Sequence, residues 1–345
     1  MNVFEIDPTA DERWDRFVER HPQASIFHTR PWLEALQRTY GYRPRAVTGT
    51  RPGSELRSGI PFCEVNGFFG GRRLVSLPFS DHCQPLCETE EQLRGLVAYL
   101  QARRGAEKWS YLELRPVEPI ARIGGLEVSE HFAFHRLNLR RGLTEILSGV
   151  HKDCVQRKVR RAEKAGLVVE NGTTDGLVHK FYQLLVTTRR RHGLPAQPIQ
   201  WFRNLASGFG SKLTISIASS SGQPVAGIIT IRHGQTLVYK YGGSDHRFFP
   251  LGGMQLLLWR AVEQGLQHGL SEFDLGRSDL DDAGLVAFKN RWGAEQSILS
   301  YRRDGVKPSK PLSNTCKSPL GKYVREHAPK SLLTAAGRLL YRQLG

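Results

Sequence analysis

Leu251-Gly252-Gly253 stands ahead of a run in which Leu251, Met254, Leu257, Leu258, Ala261, Val262 and Gly265 recur at helical spacing, and Gly269 stops it. The first amides of a helix have no intrahelical partner and lie at the positive end of its dipole, so they hold a phosphate without any basic side chain. Glycine there lets a ligand approach the backbone. Leu251, Gly252, Gly253 and Met254 are therefore a candidate phosphate site; the plainer alternative is a strand-to-helix turn that needs glycine for steric reasons only. Arg157 and Arg161, four apart, share one helix face and form either a phosphate clamp or a solvated basic surface. Tyr239 and Tyr241 alternate on a strand, so they are expected on one face, lining an acceptor pocket or a core. Asp81 follows a buried strand in a polar loop, where a carboxylate either binds and deprotonates an amine or forms a turn. Asp274, inside an apolar strand, reads as a hydrogen-bonded core carboxylate orienting Arg277.

Other chemistries lose support. The twelve histidines include no H-E-x-x-H pair, and the chain contains no G-x-S-x-G elbow and no Walker loop. Five cysteines (Cys63, Cys83, Cys87, Cys154, Cys316) form no C-x-x-C pair, so reduced structural thiols and no metal are expected. No apolar run reaches the ~20 residues of a spanning helix, and the acidic start lacks an apolar signal core. A cytoplasmic protein is expected. Its 345 residues suffice for two domains.

The elements that must position these residues follow from periodicity. In the first half, helices are expected over 11–20 and 32–40, the latter with Thr29 as N-cap and Pro31 in the first turn. Strands are expected over 43–50, 58–65, 74–79 and 109–114, and Thr89-x-x-Gln92 opens a further helix. The strand 132–139 should open a second domain. One helix is then expected over 143–166, with helices at 175–192 and 199–205 and a strand at 213–218. Residues 225–232 and 236–241, separated by His233-Gly234-Gln235, carry a hairpin signature, and 271–275 is a buried strand.

With these elements in place, the series Pro224-Val-Ala-Gly, Tyr239-Lys-Tyr-Gly-Gly-Ser-Asp245, Phe273-Asp-Leu-Gly-Arg277 and Phe288-Lys-x-x-Trp-Gly-Ala294 resembles the FemAB-like branch of the GNAT acyltransferases. The run Arg157-Lys-Val-Arg-Arg-Ala-Glu-Lys-Ala-Gly166 is similar to that family's signature helix, and weaker likenesses extend the match through the first half. The resemblance implies an α/β fold of two tandem GNAT-like domains, 1–130 on the acceptor side and 131–304 on the donor side, with a basic tail at 305–345. It implies transfer of an acyl group to an amine of a cell-envelope or exopolysaccharide precursor, an activated sugar or peptide. Backbone N–H groups on a splayed strand, here 239–244, would polarise the carbonyl, with Gly242-Gly243 letting the strand diverge. Lys289 takes the place of the family's lysine that stabilises the developing oxyanion, and Phe288 that of a packing wall. Family phosphate loops read Gln/Arg-x-x-Gly-x-Gly/Ala; Arg247-Phe-Phe-Pro250-Leu-Gly252 matches except that proline replaces the first glycine. Acyl-CoA is the expected co-substrate, since no long heptad arm is present, with aminoacyl-tRNA as the alternative. A non-catalytic polyanion-binding protein on the same fold is the rival outside enzymology.

The net charge of +16 is uneven: residues 302–345 hold ten Lys/Arg against two acids, and 151–164 hold six against two. Polyanions, not DNA, are the expected partners. Within the tail, 320–344 reads as basic amphipathic helix, suited to a reversible contact with the anionic inner face of a membrane or to docking on the protein itself. Ending the chain at Asp304 is expected to abolish binding to anionic liposomes without lowering the melting temperature. A large loss of thermal stability on truncation would place the tail in the fold instead.

Overall fold

The computed structural model describes residues 2–67, 71–120, 122–305 and 341. The chain divides after Phe132, and residues 298–305 return to the first unit. That unit contains β1 (Phe4–Ile6), α1 (Glu12–Arg20), α2 (Arg30–Tyr40), β2 (Pro44–Thr48), β3 (Ser58–Gly67), β4 (Gly71–Val75), β5 (Leu86–Cys87), α3 (Glu90–Ala106) and β6 (Tyr111–Leu114). Its sheet runs β1-β2-β3-β4-β6, antiparallel except for the β4–β6 pair. Thr89 caps α3 by accepting the Gln92 amide. The helix then lays Leu93, Leu96, Val97 and Leu100 on a core that includes Val47, Ile60, Phe62, Leu112 and Leu114.

Strand β7 (Glu127–Asn138) leads into the second unit, followed by α4 (Gly142–Gly149), α5 (Arg157–Lys164), β8 (Val168–Gly172), α6 (Asp175–Arg191), α7 (Ile199–Phe209), β9 (Leu213–Ser220), β10 (Gln223–His233), β11 (Thr236–Ser244), α8 (Gly253–Gln267), β12 (Glu272–Asp279), α9 (Ala283–Asn290) and β13 (Glu295–Gly305). The sheet order is β7-β12-β11-β10-β9-β8, with β8 to β11 antiparallel and β11 parallel to β12. The β10–β11 hairpin closes through Gly234-Gln235, with Gly234 at φ +52 as a two-residue turn requires. One sheet face, including Ile228, Leu237, Phe273 and Leu275, packs under Leu256, Leu257 and Val262 of α8 and Val159 and Ala162 of α5. The other face receives α6: a Cβ at Gly227 would meet Phe181 and Leu184. Both units are thus mixed α/β layers, as expected.

Two elements depart from expectation. The single helix over 143–166 is broken between α4 and α5, where Val150 is extended and the His151 amide donates to Arg291 O at 2.8 Å. The His151 ring then accepts the amides of Asp153 and Cys154 and restarts the chain as a π-helical turn, Lys152–Gln156. A remote carbonyl thus competes successfully with local helix propensity. The strand expected over 74–79 stops at Val75, because Leu77 and Phe79 adopt left-handed φ of +66 and +62.

Most of the tail lies outside the described residues, including its expected helices and linker. Tyr341 is described: its ring lies 5.8 Å from that of Phe79, and its carbonyl accepts the Tyr42 hydroxyl at 3.4 Å. Among the described residues no helix is long and apolar enough to cross a membrane. Cys63, Cys83, Cys87 and Cys154 are free thiols.

A buried ionic network organises the first unit. Glu113 on β6 accepts from Arg115 Nε at 2.9 Å and from Arg303. Burial alone would raise the Glu113 carboxyl, but Arg115 and Arg303 outweigh it and hold it below the usual carboxylate range. Because the folded value is depressed, Glu113 contributes stability above the unfolded value of 4.5 and loses it as pH falls through the folded value. Replacing Glu113 by Gln leaves two guanidiniums without their carboxylate and is expected to cost about 3–5 kcal/mol at neutral pH. The difference between wild type and variant should shrink in acid, read by denaturation at pH 7 and pH 3; a difference independent of pH would remove the ionised pair as its source.

Candidate functional site

In the second unit, β11 and β12 pair in parallel over three positions, Thr236↔Glu272, Leu237↔Phe273 and Val238↔Asp274. Beyond Val238 the register of β11 continues with β10 alone. The parting coincides with a bulge: Ile229 faces Tyr241 and Thr230 faces Tyr239, leaving Lys240 as the extra residue. A bulge bends its strand and increases local twist, which turns β11 away from its neighbour. From residue 239 onward β11 is no longer laddered to β12.

The bulge also corrects the expectation that Tyr239 and Tyr241 share a face. Tyr239 packs on the α8 side, where burial pushes its hydroxyl up to about 12. Tyr241 turns to the α6–α7 side, edge-on to Phe202 at 5.2 Å, and accepts the Trp201 indole N–H at 2.8 Å. The added residue shifts the two-residue alternation, and the tyrosines separate. The glycines that follow have packing duties. A Cβ on Gly242 would strike the Tyr239 hydroxyl, and one on Gly243 would lie 2.7 Å from Leu185 N in α6.

Strand β11 leads through a short 3-10 turn, His246–Leu251, to the open end of α8. Asp245 caps the turn, accepting Arg247 N at 3.0 Å and pairing with its guanidinium at 2.6 Å. Arg247 is thus tied to Asp245, whose carboxyl it holds below the usual range. Leu251 ends the turn, Gly252 at φ +79 caps α8, and Gly253 and Met254 begin it. Gly252 has no room for a Cβ because the Lys158 carbonyl lies against it. At Gly253 a Cβ would come within 3.1 Å of Ala226 Cβ. Steric need therefore accounts for glycine at 252, and close packing favours it at 253. Arg161 lies at this end, donating to Pro250 O at 3.3 Å, while Arg157 is exposed and pairs with Asp153 at 2.9 Å. From the end of α6, Arg191 stacks 4.8 Å over the exposed Phe249 ring, and the Thr188 hydroxyl receives the Ser244 amide at 2.8 Å.

Lys289 projects from α9 and is 4% exposed. Its ammonium donates to Gly276 O at 2.8 Å and Arg277 O at 2.9 Å, on β12 just beyond the parting. Asp274, 2% exposed, accepts the Gly276 amide at 2.6 Å. Phe288 packs against the α8-side core and meets Trp292 edge-on at 6.4 Å. Sequence reasoning missed His135 on β7, a fully buried imidazole whose Nε2 lies 2.8 Å from Asn290 Oδ1. Burial and the Lys289 charge depress it, against the pull of Asn290, so it is neutral at neutral pH. Only the alternation of β7 marks His135 in the sequence, and alternation does not distinguish a site residue from core.

Asp81 belongs to the first unit, in a loop shaped by Leu77 and Phe79. Left-handed φ at such residues costs of order 1–3 kcal/mol each. Arg115, missed from sequence, offsets this by donating to Leu77 O at 2.9 Å and Ser80 O at 3.2 Å. The Asp81 carbonyl accepts the Tyr301 hydroxyl at 2.6 Å. Among the described residues no group of three or more His, Cys, Asp or Glu is placed to hold a metal.

Residues 151–290 match the family model described as acetyltransferase (GNAT) domain. Over 138 residues the chain is 24% identical to the UDP-N-acetylmuramoylpentapeptide-lysine N(6)-alanyltransferase of Weissella viridescens, covering 39% of this chain and 40% of that protein. Over 125 residues it is 30% identical to the aminoacyltransferase FemA of Staphylococcus epidermidis, covering 34% and 27%. The matches thus span less than half of these curated relatives. Among solved structures, FemX superposes with a TM-score of 0.70 at 15% identity over 89% of this chain and 98% of that one. A tandem GNAT protein from the clavulanic acid biosynthesis pathway gives 0.54 at 14%, over 90% and 99%. At such identities the likeness is one of fold.

The glycine contacts yield a direct test. Valine at Gly253 is expected to destabilise the fold by about 1–3 kcal/mol through overpacking against Val225 and Ala226. Alanine at Gly243 should do the same against α6. Denaturation midpoints equal to wild type would mean that these helices give way freely and that the glycines serve something other than packing.

Proposed function

Residues 151–290 form an acetyltransferase (GNAT) domain of the FemAB-like branch, and from that premise we propose that the chain is an N-acyltransferase acting on an amine of a cell-envelope precursor. The observation that carries this reading is the parting of β11 from β12 beside the open end of α8. In the proposed reaction the acyl carbonyl lies where β11 parts from β12, and backbone N–H groups of β11 take up the negative charge that develops on oxygen. The amine nitrogen attacks the carbonyl carbon, the bond to the thiol or ribose oxygen breaks, and the amine proton passes to the leaving group. The amides of Gly253 and Met254, with Arg161 and Arg157 beside them, hold the donor's phosphates, and Arg247 braces the turn before them. Asp81, in the first unit, is proposed separately as a carboxylate that binds an amine.

Acyl-CoA is the first reading of the donor because the phosphate-binding elements are compact. Aminoacyl-tRNA is the second, favoured by the names of the relatives and by cations at both edges of the site, Arg157, Arg160, Arg161 and Lys164 on α5 and Arg189, Arg190 and Arg191 on α6. The alanyltransferase relative suggests a lysine-like amine on an activated sugar-peptide as acceptor. For such a precursor, a cytoplasmic location is part of the proposal.

Calorimetry with CoA and filter binding with charged tRNA separate the donors. CoA should bind with a shallow salt dependence. A tRNA held by many phosphate contacts should lose roughly 10³–10⁵ in affinity between 50 and 200 mM salt. Arg157→Glu/Arg161→Glu is expected to weaken the true donor at least tenfold with an unchanged melting temperature. Wild-type protein that binds neither donor and modifies no amine by mass spectrometry would overturn the reading.

A further inference from the structure

Parallel strands that have begun to pair normally continue, because unpaired backbone groups inside a sheet are costly. Here the ladder ends at Val238↔Asp274, and backbone groups of Gly276 and Arg277 on β12 are engaged by side chains. Two residues on, Gly276 adopts φ +73, a conformation glycine takes without strain. Its N–H donates to Asp274 Oδ1 at 2.6 Å, and its carbonyl accepts from Lys289 Nζ at 2.8 Å. The Arg277 carbonyl accepts from the same nitrogen at 2.9 Å. One acidic and one basic side chain therefore fix three polar groups of Gly276 and Arg277, close to where the strand leaves its neighbour.

We propose that Lys289, with Asp274, is a positioning residue that keeps the outer half of β12 parted from β11, and so holds open the gap in which the acyl donor is read to lie. This rests on the acyl-transfer reading for its purpose, but not for its geometry. An ammonium bonded to carbonyls in a dry site forms charge-assisted bonds, stronger than those between neutral groups. Its support is rigid. Trp292 is 1% exposed in the core, and Gly293 at φ +68 lies against the Gly149 backbone. The His151 amide ties down Arg291, and His135 holds Asn290, the residue after Lys289. The clamp thus anchors a strand to the C-terminal end of α9, where residues 290–293 are held by four separate contacts. The bulge at Lys240 supplies the matching divergence on the β11 side.

Hydrogen exchange of the full chain without donor tests the clamp directly, alongside donor affinity. Lys289→Met is expected to accelerate amide exchange over 275–279 by about tenfold or more, as loss of two buried charged bonds implies, and to raise donor Kd to a similar degree. Lys289→Arg, which still offers two N–H donors, should recover part of both. Asp274→Ala should disturb the same segment, whereas Asp274→Asn, which keeps an acceptor oxygen, should disturb it less. Unchanged exchange and donor Kd in Lys289→Met, with turnover alone reduced, would overturn the clamp and make Lys289 a donor to the oxyanion. If Lys289→Met does not fold, the Arg and Asn variants decide by the same exchange readout: exchange equal to that of Asp274→Ala would sink the proposal. A wild type that binds neither CoA nor tRNA defeats the acyl-transfer reading and leaves exchange to decide the clamp.

Discussion

The interaction on which the second unit depends is the short parallel ladder between β11 and β12. It closes the sheet for three residue pairs and then stops at Val238 and Asp274. A strand edge inside a protein must be satisfied by something, since buried N–H and C=O groups without partners are rare. On β12 the partners are side chains from its own chain, Asp274 and Lys289. On β11 the bulge at Lys240 bends the strand away from β12.

Packing and binding make the same demands on glycine, which complicates any reading of the α8 opening. Gly252 and Gly243 face backbone too closely for a Cβ and Gly253 is tightly packed, so none needs a ligand to explain it. In the proposed reaction a phosphate at this opening is held by the helix end and the surrounding cations rather than by the glycines. Those cations are partly committed. Arg247 pairs with Asp245, Arg157 with Asp153, and Arg161 reaches Pro250 O. Such pairs, where exposed, are worth little and exchange readily for a phosphate partner.

The first unit holds its strain and its charge in one place. Leu77 and Phe79 take conformations that L-residues avoid, and Arg115 secures the carbonyls around them while pairing with Glu113. An arginine suits this task because its planar fork donates in several directions at once. The Asp81 loop is consequently set by a buried ionic network rather than by its own turn chemistry.

What the sequence by itself determined is the set of elements whose cause is local. The hairpin at Gly234, the amphipathic run of α8, the Thr89 cap and the ordered likeness around residues 224–294 were all legible, because each depends on residues within a turn or two of one another. Tertiary structure decided the rest. One extra residue in a strand sent Tyr239 and Tyr241 to opposite faces, and no composition rule marks Lys240 as that residue. The break at His151 depends on Arg291 O, and the role of Lys289 depends on carbonyls of a strand twelve and thirteen residues earlier. His135 meets Asn290 across 155 positions. Backbone acceptors leave no trace in residue type, so a side chain whose partner is a carbonyl can be located from sequence, but its partner can be named only once the chain has folded.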